Sequence, residues 1–118
     1  MTDSTALRLA RFCAETTFDD LPPELVARTQ RHILDTIGAT LAGSAAAEPR
    51  AVLGMLCAER SAGSAPVWGT AERIGMRDAA FANGVAAHAL ELDDTGGCDH
   101  SGAVVLPAAI AALSAPGH

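Results

Sequence analysis

The residues able to do chemistry are crowded into one stretch, Glu91-Leu92-Asp93-Asp94-Thr95-Gly96-Gly97-Cys98-Asp99-His100-Ser101-Gly102, in a chain that is otherwise bland and apolar. Carboxylates and an imidazole this close together suit proton transfer. His100 carries the side chain whose ordinary pKa lies nearest neutrality, and it can move a proton or neutralise an anion. Gly96 and Gly97 let the backbone turn sharply, and Asp99 or Ser101 can cap the helix that follows. The first N–H groups of that helix would point back toward the loop and favour a carboxylate or phosphate there. On the helix that leads into the stretch, Asn83, His88, Glu91 and Asp94 share one face with Ala80, Gly84 and Ala87, while Phe81, Val85, Ala89 and Leu92 share the other. The second face is expected to pack. The first holds polar groups over small residues and can face solvent, another helix or a ligand.

Other chemistries fit less well. Asp94, Cys98, Asp99 and His100 include metal ligands, but adjacent Cys98, Asp99 and His100 have difficulty pointing at one ion and lack paired zinc-site spacing, so no metal is expected. Gly96-Gly97 lacks a phosphate-loop pattern, and no partner at defined spacing activates Cys98 as a nucleophile. All 8 basic residues are arginine, and there is neither lysine nor tyrosine, so a Schiff-base lysine or tyrosine acid cannot come from this chain. A net charge of -6 with scattered arginines argues against nucleic acid. His32 and Asp35 read as a surface pair, with Arg28 and Arg31 in reach.

The elements that must position these groups are helices. The chain of 118 residues is 49% hydrophobic but only 3% aromatic, and about a fifth of it is alanine, so one core of helices packed on small side chains is expected. Ser4 or Asp3 caps a first helix to about Glu15, with Leu7, Ala10, Arg11 and Ala14 at helical spacing and Leu9 and Phe12 widening its apolar side. A loop over residues 17–23 precedes a helix from Glu24 to about Ala42, whose Val26, Ile33, Ile37 and Leu41 form an apolar stripe with Leu34 beside it, the best-defined core helix. Ala45 to Pro49 reads as a link. A third helix is expected from Arg50 to about Arg60 with Val52, Leu53, Leu56 and Cys57 on its apolar side. A short β-bridge at most lies near residues 66–69. A fourth helix starts near Ala71 or Met76 and continues to about Asp94, and a fifth runs from Ser101 to Leu113. Three cysteines without paired spacing and an N-terminus without a signal peptide suggest free thiols and a cytoplasmic location. No stretch is long enough to span a membrane.

Two segments carry a family resemblance: LPPELVARTQRHILDTIGATLAGS, and RDAAFANGVAAHALELDDT followed by HSGAVVLPAAIAAL. The chain resembles the N-terminal part of the MmgE/PrpD family, which includes 2-methylcitrate dehydratase, cis-aconitate decarboxylase and iminodisuccinate epimerase. The family's N-G-x-x-x-H core, D-D-T stretch, later histidine and apolar helix containing V-x-P or V-L-P correspond to Asn83-Gly84, His88, Asp93-Asp94-Thr95, His100 and Val105-Leu106-Pro107. Resemblance to the decarboxylase branch implies a catalytic set of Glu91, Thr95 and His100, with Asn83, His88, Asp94 and Ser101 as candidate substrate contacts. Position 91 is Glu where that branch has Asp, and the loop over residues 96–99 is shorter and lacks its W-H-P residues.

The resemblance implies an all-α domain that is incomplete over residues 1–118, with a second, α+β domain absent. It implies a lyase segment acting without a cofactor on a small di- or tricarboxylate, in the manner of 2-methylcitrate dehydratase. His100 would be the acid or base, Thr95 would hydrogen-bond a substrate carboxylate, and Glu91 would orient His100 or a water. Two alternatives stay open. One is a segment of an epimerase-like isomerase. The other is an inactive helical assembly fragment that forms a homo-oligomer such as a dimer, or pairs with a separately encoded C-terminal half, to cover apolar surface on its third and fifth helices.

Overall fold

A computed structural model of the chain describes residues 4–94 and 100–115. It is helical, with one two-stranded sheet among the described residues. The chain divides into two compact units, residues 1–30 and residues 31–118.

The first unit holds helix α1 (Thr5–Glu15) and a 3-10 turn at Phe18–Asp20. Ser4 caps α1, its side-chain oxygen accepting from the Leu7 backbone N–H at 3.3 Å. The stretch expected to be plain loop is tied by Asp20, whose carboxylate accepts from both the backbone N–H and the hydroxyl of Thr17 at 2.8 and 2.7 Å. These bonds, the side-chain one first, hold the Asp20 carboxyl below its ordinary range.

Helix α2 (Pro23–Gly43) begins in the first unit and ends in the second. Its buried residues are Thr36, Ala39, Thr40 and Gly43, whereas Leu34 is 71 % exposed and Leu41 48 %. Of the aliphatic stripe expected to form the core, Val26, Ile33 and Ile37 are only half-buried and Leu41 lies outward, while the small residues take the innermost places. Backbone proximity explains the exchange: a Cβ at Gly43 would collide with the Ala86 carbonyl. Helices this close leave no room for leucine between them.

Helix α3 (Ala47–Ala58) starts three residues earlier than expected, because Pro49 sits in its first turn, where a missing N–H breaks no helical bond. Leu56 is its buried anchor, and Cys57, expected on the apolar side, is exposed. The sheet pairs β1 (Ala65–Pro66) with β2 (Arg73–Ile74), antiparallel, Ala65 opposite Ile74. Leu56, Ala65, Val67, Ile74, Ala79 and Ala82 form a core in which hairpin, α3 and α4 meet, with Val52 and Leu53 against it.

Helix α4 (Met76–His88) packs on α3 and most extensively on α5 (Ser101–Ala112). Its buried residues are Ala79, Ala82, Asn83, Ala86 and Ala87, while Phe81 is half exposed, so the packing face is turned away from the expected Phe81 side and takes in Asn83 and Ala87. The cause is again the close approach that alanine permits. The helix also ends at His88, six residues short of the expected Asp94. Ala89 closes it, and Glu91 takes a left-handed backbone (φ 49°), which no helix continues through. Among the described residues, no helix is long and apolar enough to cross a membrane.

Candidate functional site

Because α4 stops at His88, Glu91 and Asp94 do not extend its polar face; the loop delivers them separately. That loop folds back so that Asp93 comes under His88 and meets His100, the residue preceding α5. His88 Nδ1 lies 2.9 Å from one Asp93 carboxylate oxygen and His100 Nδ1 lies 2.9 Å from the other. The Asp93 side chain is 0 % exposed, whereas those of His88 and His100 are 44 % and 40 % exposed. The two rings meet edge to face, 4.4 Å between centroids.

Burial on its own would raise the Asp93 carboxyl, but the hydrogen bonds from His88 and His100 outweigh it and hold Asp93 below its ordinary range. Conversely, the Asp93 hydrogen bond raises His88 above the ordinary imidazole value, against a smaller effect of burial and with small help from the charges of Asp93 and Glu91. A carboxylate that stays ionised only accepts, so both Nδ1 atoms donate to it.

Asp94 has a different task. Its Oδ1 accepts from the Gly102 backbone N–H at 2.8 Å and its Oδ2 from the Ser101 hydroxyl at 2.9 Å. The start of α5, expected to attract an anion, is thus met by the chain's own carboxylate. The cap expected from Ser101 comes instead from Asp94, with Ser101 as donor, and Asp99 lies outside the described residues. A Cβ at Gly102 would fall on Asp94 Oδ1 and Thr36 Oγ1, so any other residue there would force one of those side chains to shift. His100 holds the turn before α5 with a left-handed backbone (φ 42°), a conformation uncommon outside glycine and concentrated at functional sites.

A cavity of about 650 Å³ opens beside the histidines, walled chiefly by Phe81, Val85 and Val104, with His88, His100 and Glu48 at its polar positions. Among the residues lining it, only His88 and His100 can carry positive charge. Their Nδ1 edges face Asp93, which leaves the Nε2 edges as their remaining polar atoms.

Of the residues singled out from sequence, the structure brings His88 and His100 together at the cavity. Glu91 is exposed at the turn after α4 and reaches His88 as a neighbouring charge. Asn83 is buried one turn earlier, its Nδ2 donating to the Pro66 carbonyl at 3.1 Å and its Oδ1 accepting from the Trp68 N–H at 2.9 Å. Asp94 and Ser101 bind each other. Thr95 lies outside the described residues, as does Cys98. The residue that sequence reasoning missed is Asp93. Its signal was the acidic pair placed between two histidines, His88 five residues before and His100 seven after.

A model of the MmgE/PrpD N-terminal domain matches residues 7–117. The chain belongs to the MmgE/PrpD family. No curated protein and no solved structure gives a significant match. Membership agrees with the mostly helical architecture of the chain.

His88, Asp93 and His100 also supply two imidazole nitrogens and a carboxylate oxygen within 4.8 Å of one another, a donor set of the kind that binds transition metals. With both Nδ1 atoms donating to Asp93, a cation held among these three groups would have to displace the Nδ1 protons, and the atoms left open are the two Nε2.

Proposed function

We propose that this chain is the N-terminal helical part of a lyase that moves a proton beside a carboxylate of a small di- or tricarboxylate, like 2-methylcitrate dehydratase within the MmgE/PrpD family. The observation that carries the reading is the pair of imidazoles held by Asp93 at the rim of the cavity. In this reading His100 is the acid or base, Thr95 hydrogen-bonds a substrate carboxylate and Glu91 orients His100 or a water. His88 is the substrate contact within reach of the cavity; Asn83, Asp94 and Ser101 support the wall behind it.

The cavity wall offers cationic character only at its histidine end, enough for one carboxylate arm. The other arms need groups from a second wall, which we assign to a C-terminal half of the enzyme. A cytoplasmic location goes with this reading, since Cys13 and Cys57 are free, exposed thiols.

A second reading, a helical assembly segment without turnover of its own, is favoured by one observation. Val104 is 67 % exposed and Val105 61 % on α5. Such surfaces are normally covered by a partner.

Co-expression with an MmgE/PrpD C-terminal half, followed by an activity screen over citrate-like acids, separates the two. The chain alone is expected to be inert toward 2-methylcitrate and cis-aconitate, and the assembled pair active. His100→Ala, Thr95→Ala and Glu91→Gln are each expected to lower turnover at least tenfold. Unchanged turnover in all three would end the catalytic assignment, and a stable but inactive assembly would leave the second reading.

A further inference from the structure

We propose that Asp93 is a positioning residue that locks both His88 and His100 as Nδ1–H tautomers and so presents their two Nε2 atoms to the cavity as a matched pair. The use made of the pair rests on the lyase reading above; the lock itself stands on geometry.

Each Nδ1 has its own carboxylate oxygen, both at 2.9 Å, so neither ring competes with the other for the acceptor. The Asp93 side chain is fully shielded from solvent while both rings are in place. Turning either ring over would set a C–H against a buried carboxylate oxygen and leave that oxygen unpaired, which is costly in the interior. The edge-to-face packing of the rings, 61° between planes, further restricts rotation. In a neutral imidazole one nitrogen donates and the other accepts, and the hydrogen bond at one decides the state of the other. With Nδ1 donating in both rings, both Nε2 atoms carry lone pairs.

One added proton then makes the pair asymmetric. One Nε2–H donates to a substrate carboxylate, while the other Nε2 accepts the proton from the adjacent carbon, the electron pair of that C–H bond staying on the carbon. His88 thereby works as the partner of His100, and the buried charge of Asp93 balances the imidazolium. A lone histidine offers only one of these two functions at a time.

The test is long-range proton–nitrogen NMR on the full chain labelled with 15N-histidine, at pH about 9, where imidazoles are neutral. His88 and His100 are expected in the Nδ1–H form, while the exposed His32 shows the Nε2–H form of a free imidazole. Nε2–H forms at both His88 and His100 would overturn the proposal. In Asp93→Asn the side chain can accept from only one ring and donates to the other, so one of the two histidines is expected to switch to Nε2–H. Retention of Nδ1–H in both rings of that variant would also overturn the lock. If Asp93→Asn fails to fold, the native spectrum decides alone. Zinc at equimolar concentration is expected to leave the pattern unchanged; loss of both Nδ1–H signals would make the cluster a metal centre instead. The expected native pattern with an inactive assembled enzyme keeps the lock and removes the lyase reading, whereas Nε2–H forms in an active enzyme do the reverse.

Discussion

Two polar clusters sit on the same helix and treat their hydrogen bonds in opposite ways. At Asn83, in the middle of α4, both ends of the amide are consumed by backbone, the Pro66 carbonyl and the Trp68 N–H, and the residue is 2 % exposed. At Asp93, just past the end of α4, the buried carboxylate is equally satisfied, but its partners are side chains that remain open at their far edges. The first network ends inside the protein and can only stabilise. The second ends at a cavity, where its last atoms are available to a ligand. Burial and hydrogen-bond count do not separate the two clusters; the direction in which each network terminates does.

The largest expected effect lies in the closed cluster. Asn83→Ala removes both partners of part-buried backbone groups on the β-hairpin, and each group left unsatisfied costs up to about 1–3 kcal/mol. Urea denaturation is expected to show a loss of about 2–6 kcal/mol for the pair. If a fold survives, the histidine tautomers should be unchanged. A loss under about 0.5 kcal/mol would mean that the hairpin does not depend on Asn83, and the contrast between the clusters would fail at its first term.

Next in size is the contact behind the open cluster. Gly102→Ala drives a methyl group into the Asp94 carboxylate and the Thr36 hydroxyl oxygen, an overpacking expected to cost about 1–3 kcal/mol. Asp94→Ala removes the carboxylate at the start of α5 and is expected to cost about 0.5–2 kcal/mol, measured in the same way. Both variants should shift His100 resonances more than Asn83 side-chain resonances, because α5 begins directly after His100. The reverse order would show that the two clusters are coupled through α4 rather than separate.

These particulars also mark how far the sequence is legible. The starts of α1 and α2 follow from Ser4 and from Pro22-Pro23, local signals that act through a few neighbouring backbone groups. The start of α5 at Ser101 is equally legible, though its cap is not, because Asp94 arrives from seven residues away. The end of α4 was overrun because Ala89, Leu90 and Glu91 are good helix formers, with no glycine or proline to stop them. What stops them is tertiary: the turn that lets Asp93 reach both histidines. Apolar faces were misjudged on α2 and α4 for one reason. Periodicity weights large side chains, whereas these helices approach so closely that Gly43, Ala82 and Ala86 pack and Leu34 and Phe81 stay outside. At the site, His88 and His100 were legible as chemically able residues. Asp93 was not, since acids are seldom buried and its burial depends on partners on both sides in sequence.

The smallest expected effect sharpens the comparison most, because it depends on pH. Asn83 and its partners do not titrate, so Asn83→Ala should lower stability by the same amount at every pH. The Asp93 cluster contains one group lowered and one raised. Asp93 is held below its ordinary 3.8, so its contribution is fully present above that value and is lost as pH falls through its lower, folded pKa. His88 is raised above its ordinary 6.5, so its contribution is fully present below that value and is lost as pH rises through its higher, folded pKa. The cluster is therefore expected to stabilise most between about pH 4 and 6.5 and to weaken on either side. In urea midpoints taken across pH, His88→Gln keeps a donor for Asp93 but cannot titrate, and it should flatten the alkaline limb while leaving the acid limb in place. An alkaline limb of the same slope in His88→Gln as in the native chain would detach the raised imidazole from Asp93, and pH would then no longer separate the two clusters on that side.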